Sequence, residues 1–335
     1  MSFSQNDASL SPRESRVIGA LLGVHAGDSL GATLEFESHA RIARKYPVGL
    51  REIVGGGPFS WPAGHATDDT DMTRGVLLAY YDLQCRKLGD DVARMAADYF
   101  VRWMRGDWPD RRPGSYPEDI GGATAMGLNK YKKTKDPDRA GAGSGNAGNG
   151  SLMRCIPTGL FQTDPQKLVE ESLRISKITH DDERCTISCA AYNMIVSKLV
   201  NGDSPEDAIA AGQQAAKELE TQGTSGQVYK AIELGKSLSI ATMAENGPLP
   251  ELKGRCSGYV LESLSLAIAA ILDTRSLQDV LVDVVRIGQD TDTNGAIAGG
   301  LLGARDGAAA IPSDWGAILQ FGDEFESVAL SLLRE

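Results

Sequence analysis

Two short runs of this chain concentrate the residue types that hold hard cations. The first is Thr67-Asp68-Asp69-Thr70-Asp71, which follows a glycine-rich stretch. The second is Asp290-Thr291-Asp292-Thr293, near the other end of the chain. Both fall where a loop meets a helix start, and one acidic side chain at such a place is explained by capping of free N–H groups and by the helix dipole. Several in each run are not, because gathering like charges is unfavourable without a cation. Carboxylates beside hydroxyls suit Mg2+ or Mn2+ rather than zinc. Two such runs folded together can hold a pair of ions that orient a ligand and activate a water.

Two further stretches bear on the same site. In Gly27-Asp28-Ser29-Leu30-Gly31-Ala32-Thr33-Leu34-Glu35 the glycines allow a tight backbone path that turns Asp28 and Glu35 toward one region. Alone, this stretch reads as a helix end followed by surface acids. Residues 143–154, GSGNAGNGSLMR, put glycine N–H groups ahead of a helix, the makings of an anion cradle. The Gly-Lys-Ser/Thr ending of a P-loop is missing. The first half of the run reads equally as a flexible surface loop, whereas the second half leads directly into apolar residues.

The elements that must position these residues are helices. Val17, Ile18, Leu21 and Leu22 recur at helical spacing, with Ser11 or Ser15 as cap and Gly27-Asp28-Ser29 as the stop. Residues 38–66 read as a long loop. A helix starts at Thr67-Asp68-Asp69 with Val76, Leu77, Tyr80 and Leu83 on one face, and Val92 to Trp103 mark the next. Residues 105–118 and 134–150 read as loops. Leu168–Lys177, Cys185–Val200, Pro205–Glu220, Tyr259–Leu272, Leu277–Ile287, Asn294–Leu302 and the C-terminal stretch read as helices. Alternating strand patterns are nearly absent. The expectation is an all-α fold: a single compact helical domain over 13–335, preceded by a flexible tail over 1–12. The run GAIAGGLLGA is expected to be a buried central helix, since Gly and Ala let helices approach closely.

The 335 residues suffice for a substantial core, and 41% hydrophobic with 24% charged residues is ordinary for a globular chain. A net charge of −11 argues against a nucleic-acid partner. No apolar run approaches a membrane span, and the N-terminus shows no signal peptide, so a cytoplasmic location is the default expectation. The five cysteines include no CxxC pair. Cys185 and Cys189, one turn apart near His180, read as small buried apolar residues rather than as a zinc site.

In order along the chain, GDSLGATLEF (27–36), GHATDDTDM (64–72), EDIG (118–121), GNGSLMR (148–154), ITH (178–180) and GQDTDTNGAIAGG (288–300) resemble the ADP-ribosylglycohydrolase family, over nearly the whole chain from Val17 to Arg305. GDSLGATLEF and EDIG look nearest to its bacterial arginine-directed branch, that of the dinitrogenase-reductase-activating glycohydrolase. The resemblance implies an all-α domain with a binuclear Mg2+ or Mn2+ centre that removes ADP-ribose from an ADP-ribosylated protein. It implies Thr67, Asp68, Asp69, Asp290, Asp292 and Thr293 as metal ligands. Asn149, Gly150 and Met153 match the loop that contacts ribose and phosphate, and His180 matches a ligand-contacting histidine. Asp119 matches an acid near the scissile bond, and Glu35 an acid that accepts a proton or gates the site. Asp69, Asp119 and Glu35 are the candidate acid–base groups, with no assignment among them. Asp28 joins Asn146, Gly148, Asn149, Gly150, Met153 and His180 as a candidate ligand contact. Gln289 departs from the Gly, Asp or Asn usual before the second acidic run. The 105–118 loop, with Trp108, Arg111, Arg112 and Tyr116, matches no family pattern and is a candidate for shaping the acceptor side.

Arginine linkage is the first expectation, serine linkage the second and free O-acetyl-ADP-ribose the third. Asp68-Asp69 also sits close to the aspartate-rich motif of helical terpene synthases, but 6% aromatic residues would shield a carbocation poorly. A non-catalytic alternative is an ADP-ribose reader, a lens-crystallin-like relative or a toxin-blocking immunity protein. The retained oxygen donors at all six ligand positions weigh against it.

Overall fold

Ser11 and Glu14 cap the first helix reciprocally. The Glu14 N–H donates to Ser11 Oγ at 3.2 Å, and the Ser11 N–H donates to Glu14 Oε2 at 2.7 Å. Pro12 takes the first helical position, where its missing N–H is no loss. The structure is a computed structural model that describes residues 10–220, 226–252 and 256–335. Of the tail expected over 1–12, residues 1–9 lie outside the described residues, while Ser11 and Pro12 belong to this helix start.

Among the described residues the chain forms sixteen α-helices and no strand, only three isolated bridges. They are α1 (Pro12–Gly31), α2 (His39–Lys45), α3 (Asp68–Gln84), α4 (Val92–Met104), α5 (Gly122–Thr134), α6 (Ile156–Phe161), α7 (Pro165–Lys177) and α8 (Glu183–Asn201). There follow α9 (Pro205–Leu219), α10 (Gln227–Ser237), α11 (Ile240–Asn246), α12 (Val260–Leu272), α13 (Leu277–Arg286), α14 (Thr291–Asp306), α15 (Ser313–Gly316) and α16 (Gly322–Leu333). The all-α expectation holds. Among the described residues, no helix is long and apolar enough to cross a membrane.

The expected stop at Gly27-Asp28-Ser29 is corrected: α1 runs on to Gly31. Its partner explains why. Gly19, Gly23, Gly27 and Gly31 recur every fourth residue and line one stripe of α1. Against it runs α14, antiparallel, meeting those positions with Gly303, Gly299, Gly295 and Thr291 in turn. A Cβ at Gly27 would stand 2.0 Å from Gly295 O, so the two backbones touch. Helix geometry is held by this contact rather than by propensity, which would otherwise end α1 at its glycines. The Thr291 hydroxyl donates to Gly31 O at 2.7 Å and locks the far end.

The α1–α14 pair is the middle of the molecule. One apolar cluster, drawing on α3, α4, α6 to α10, α12 and α16, packs on one side of it, and a second, drawing on α2, α11, α13 and α15, on the other. Burial on all sides accounts for the pair's small residues, as expected for GAIAGGLLGA. The pair also carries the C-terminal end of α1, with Asp28 and the approach to Glu35, to the N-terminal end of α14, with Asp290 and Asp292. Helices α2, α5, α10 and α11 lie where no helix was anticipated. α5 opens on Gly-Gly and α2 is short and mostly exposed, so neither has a strong apolar period to read.

Candidate active site

Thr67 is the N-cap of α3, accepting from the Asp69 N–H through its hydroxyl. That hydroxyl donates to Asp28 Oδ1 at 2.8 Å. Asp28, fully buried in α1, also accepts from the Thr67 N–H at 3.1 Å, the Thr70 N–H at 3.3 Å and the Thr70 hydroxyl. Asp28, a candidate ligand contact, is thus placed against the first turn of α3. The side chain is consumed in fixing the first turn of α3 and does not line the cavity. Burial raises its pKa to about 6, against the opposing effect of the Thr70 and Thr67 bonds.

The two acidic runs meet. Thr293 Oγ1 lies 3.4 Å from Asp69 Oδ2, joining the start of α14 to the start of α3. A cavity of about 440 Å3 opens above them, lined by Asp68, Asp290, Asp292 and Thr293 together with Glu35 and Asp119. Thr67 and Asp69, each 1% exposed, lie beneath its wall. One carboxylate oxygen from each of Glu35, Asp119 and Asp292 lies within 4.8 Å of the others. Glu35 is therefore a wall of the cavity and not a surface acid.

The electrostatics of this cluster are unfavourable as the protein stands. Burial, then neighbouring carboxylates, raises the pKa values of Asp68, Asp69 and Asp292 well above the usual range. Burial, then Asp119, pushes Glu35 up to about 9. Asp119 rises to about 6 for the same reasons, burial first. Glu35 Oε2, Asp69 Oδ1 and Asp292 Oδ1 are buried with no hydrogen-bond partner. Buried acceptors are ordinarily paired. Unpartnered carboxylate oxygens, like charges and adjacent hydroxyls together fit a hard divalent cation.

The glycine-rich loop contributes its second half only. Gly148, Asn149, Gly150 and Met153 line the cavity. Asn149 Nδ2 donates to Asp290 Oδ2 at 2.6 Å and to Ser263 Oγ at 3.0 Å, tying the loop to the second acidic run. In the first half the Gly143 and Gly145 N–H groups are already taken by Asp181 and Asp182. Asn146, also a candidate ligand contact, is exposed, turns its amide back to Ala142 O and Gly143 O, and does not line the cavity.

His180 does line the cavity, and its protonation follows from its neighbours. Arg154, wholly buried, donates through Nη2 to Thr179 Oγ1 at 2.7 Å. The same Thr179 oxygen lies 2.7 Å from His180 Nδ1. Burial, then Arg154, lowers the ring's pKa to about 3, so the imidazole is neutral. Nε2 lies beside Gly148 and Gly150, where a Cβ would come within 3.4 and 3.3 Å of it.

Cys185 and Cys189 are free and buried, in line with the apolar reading. None of Trp108, Arg111, Arg112 and Tyr116 in the 105–118 loop lines the cavity. Trp103 and Trp108 donate their indole N–H groups to the two oxygens of buried Asp71, at 2.8 and 2.7 Å. Arg111 holds Trp103 O and Ser115 O, while Arg112 and Tyr116 are exposed away from the lining. Phe36, Thr124, Ser257 and Gly258 line the cavity without having been anticipated. Only Phe36, adjacent to Glu35, carried a usable signal.

The fold is that of the ADP-ribosylglycohydrolase class. The family model of that description matches residues 9–335, and the chain belongs to this family. It is 29% identical over 301 residues to the ADP-ribosyl-(dinitrogen reductase) glycohydrolase of Rhodospirillum rubrum, covering 90% of this chain and 88% of that one. It is 28% identical to the ADP-ribosylarginine hydrolase Tri1 of Pseudomonas putida (strain GB-1), covering 95% of this chain and 77% of that protein. A solved structure described as an ADP-ribosylglycohydrolase-related protein complex superposes with a TM-score of 0.76 at 27% identity, covering 97% of this chain and 99% of its own. The family is generally metal-dependent, in keeping with the acidic cluster.

Proposed function

We propose that this protein hydrolyses the N-glycosidic bond between ADP-ribose and an arginine side chain of a modified protein. The observation that carries the reading is the convergence of two helix N-termini, Glu35 and Asp119 on one cavity with buried, unpartnered carboxylate oxygens. The arginine linkage is supported by the likeness to proteins named for that substrate or for ADP-ribosylated dinitrogen reductase.

Thr67, Asp68, Asp69, Asp290, Asp292 and Thr293 would hold two Mg2+ or Mn2+ ions. Such ions supply Lewis-acid charge to ribose hydroxyls and to water. The chain's own residues do the rest. Gly148, Asn149, Gly150 and Met153 form the wall against which the nucleotide lies, and His180 offers a neutral imidazole there. Water adds across the C1″–N bond: its oxygen goes to C1″, and a proton reaches the departing guanidine nitrogen. The carbon passes through oxocarbenium character, which the surrounding carboxylates stabilise. Asp69, Asp119 and Glu35 are the candidates to move the proton. Glu35 and Asp119 are favoured because they line the cavity, whereas Asp69 lies beneath its wall.

The test is release of ADP-ribose from arginine-modified and serine-modified protein, each with Mg2+, Mn2+ or EDTA. Metal-dependent release from the arginine-linked substrate is expected. Release from the serine-linked substrate alone would replace the linkage. Tight ADP-ribose binding with no release from either would replace the enzyme by a reader.

A further inference from the structure

Phe36 is placed against the ordinary preferences of its residue type. It is 66% exposed, and of the large apolar side chains that the described residues leave exposed it alone lines the cavity. Its backbone sits at φ 63°, the left-handed region that a bulky residue rarely adopts and that glycine would occupy freely. Gln289, beside the second acidic run, is left-handed too, at φ 71°. The two hold each other: the Phe36 N–H donates to Gln289 O, and the Gln289 N–H donates to Glu37 O, both at 2.8 Å. These bonds fix the backbone at Phe36 beside the second acidic run, and Phe59 meets its ring edge-on at a centroid distance of 6.4 Å. Folding gains little from an exposed ring on a strained backbone, and such strain at a cavity mouth points to use there.

What the ring would recognise follows from its surroundings. Glu35, Asp68, Asp119, Asp290 and Asp292 make the cavity acidic, which favours a cationic group. A phenyl face favours a flat one, and guanidinium is flat, cationic and weakly hydrated. The protein makes this pairing within its own core, where the Arg154 guanidinium lies 4.6 Å from the Phe100 ring centre.

We infer that Phe36 determines acceptor specificity by stacking on the guanidinium of the arginine from which ADP-ribose is removed. The inference rests on the arginine-directed reading above. It separates the acceptor side, which Phe36 serves, from the ADP-ribose side, which the 148–153 wall and His180 serve.

Three variants test it in the metal-loaded enzyme. Phe36→Gly removes the ring and suits the left-handed backbone, so folding is preserved or improved. Phe36→Leu keeps apolar bulk without a π face, and Phe36→Tyr keeps the face. Measured on ADP-ribosyl-arginine, kcat/KM should fall about 3- to 30-fold in the Gly and Leu variants and return near the parent value in Tyr. The inhibition constant of free ADP-ribose should stay unchanged in all three. Full activity in Phe36→Gly or Phe36→Leu would overturn the inference, as would a parallel weakening of ADP-ribose binding. These outcomes leave the proposed function standing. A parent enzyme that binds ADP-ribose but leaves arginine-linked substrate intact would sink both.

Discussion

Asp292 is the residue at which the site can be read most sharply. It lines the cavity, one of its oxygens is buried without a partner, and its neighbours' charges oppose its own. An aspartate kept for folding would be missed if neutralised. One kept to hold a cation should be missed only when the cation is present. Asp292→Asn is therefore expected to lower turnover at least about 100-fold. The metal-free variant should melt no lower than the metal-free parent, because the unfavourable burial of an ionisable acid among other acids has gone. A thermal melt in EDTA beside a turnover assay checks both, and a marked fall in the EDTA melting temperature would mark Asp292 as structural. At this scale much was legible. Acids clustered where loops meet helices announced the two runs, and Glu35 and Asp119 followed from their motifs. That Asn146 and Asp28 lie off the cavity lining was not legible, because type and position do not reveal prior commitments. The loop's first N–H groups are bound by Asp181 and Asp182, and Asp28 is bound to Thr67 and Thr70. Nothing in the identity of Ser257 or Gly258 marks them for the cavity.

The α1–α14 seam positions the carboxylates of two distant segments, so the site's geometry is a property of a helix pair. Gly27→Val would drive a branched side chain into the Gly295 carbonyl. Overpacking of that kind costs about 1–3 kcal/mol and more where backbone must move. The expected result is a loss near the upper end of that range by urea unfolding, with weakened cation binding in whatever remains folded. A neutral outcome would mean that the helices can separate without harm to the site. The four-residue glycine spacing in α1 was present in the sequence, yet Gly27 reads locally as a helix stop. Only the partner, more than 260 residues away at the Gly27–Gly295 contact, turns those glycines into a contact surface. The same limit applies to α5, whose Gly-Gly start has little helical propensity and which is stabilised by docking. The long amphipathic helices α4, α7 and α13 needed no such help, and their apolar periods were plain.

For the whole molecule, the buried acid cluster couples folding to pH and to cations. Without metal, Glu35 keeps its proton in the folded protein up to about pH 9 but loses it near 4.5 once unfolded. Asp119 behaves alike, between 3.8 and about 6. The folded state then binds more protons than the unfolded one, so stability falls as pH rises through that window. Melting temperatures in EDTA should decline from pH 5 to pH 8.5. Mg2+ or Mn2+ should raise them, most at the alkaline end where protons no longer compete. A flat or opposite trend in EDTA would mean that the cluster is not protonated as its surroundings dictate.

The central claim is that the two acidic runs form one cation-dependent catalytic centre. A titration of the metal-free protein with Mn2+, following free ion by electron paramagnetic resonance and ADP-ribose release from arginine-modified protein in the same samples, tests it most directly. The account predicts two ions bound per chain, with turnover rising as they bind. Full turnover in EDTA, or turnover that is complete before any ion is bound, would contradict it.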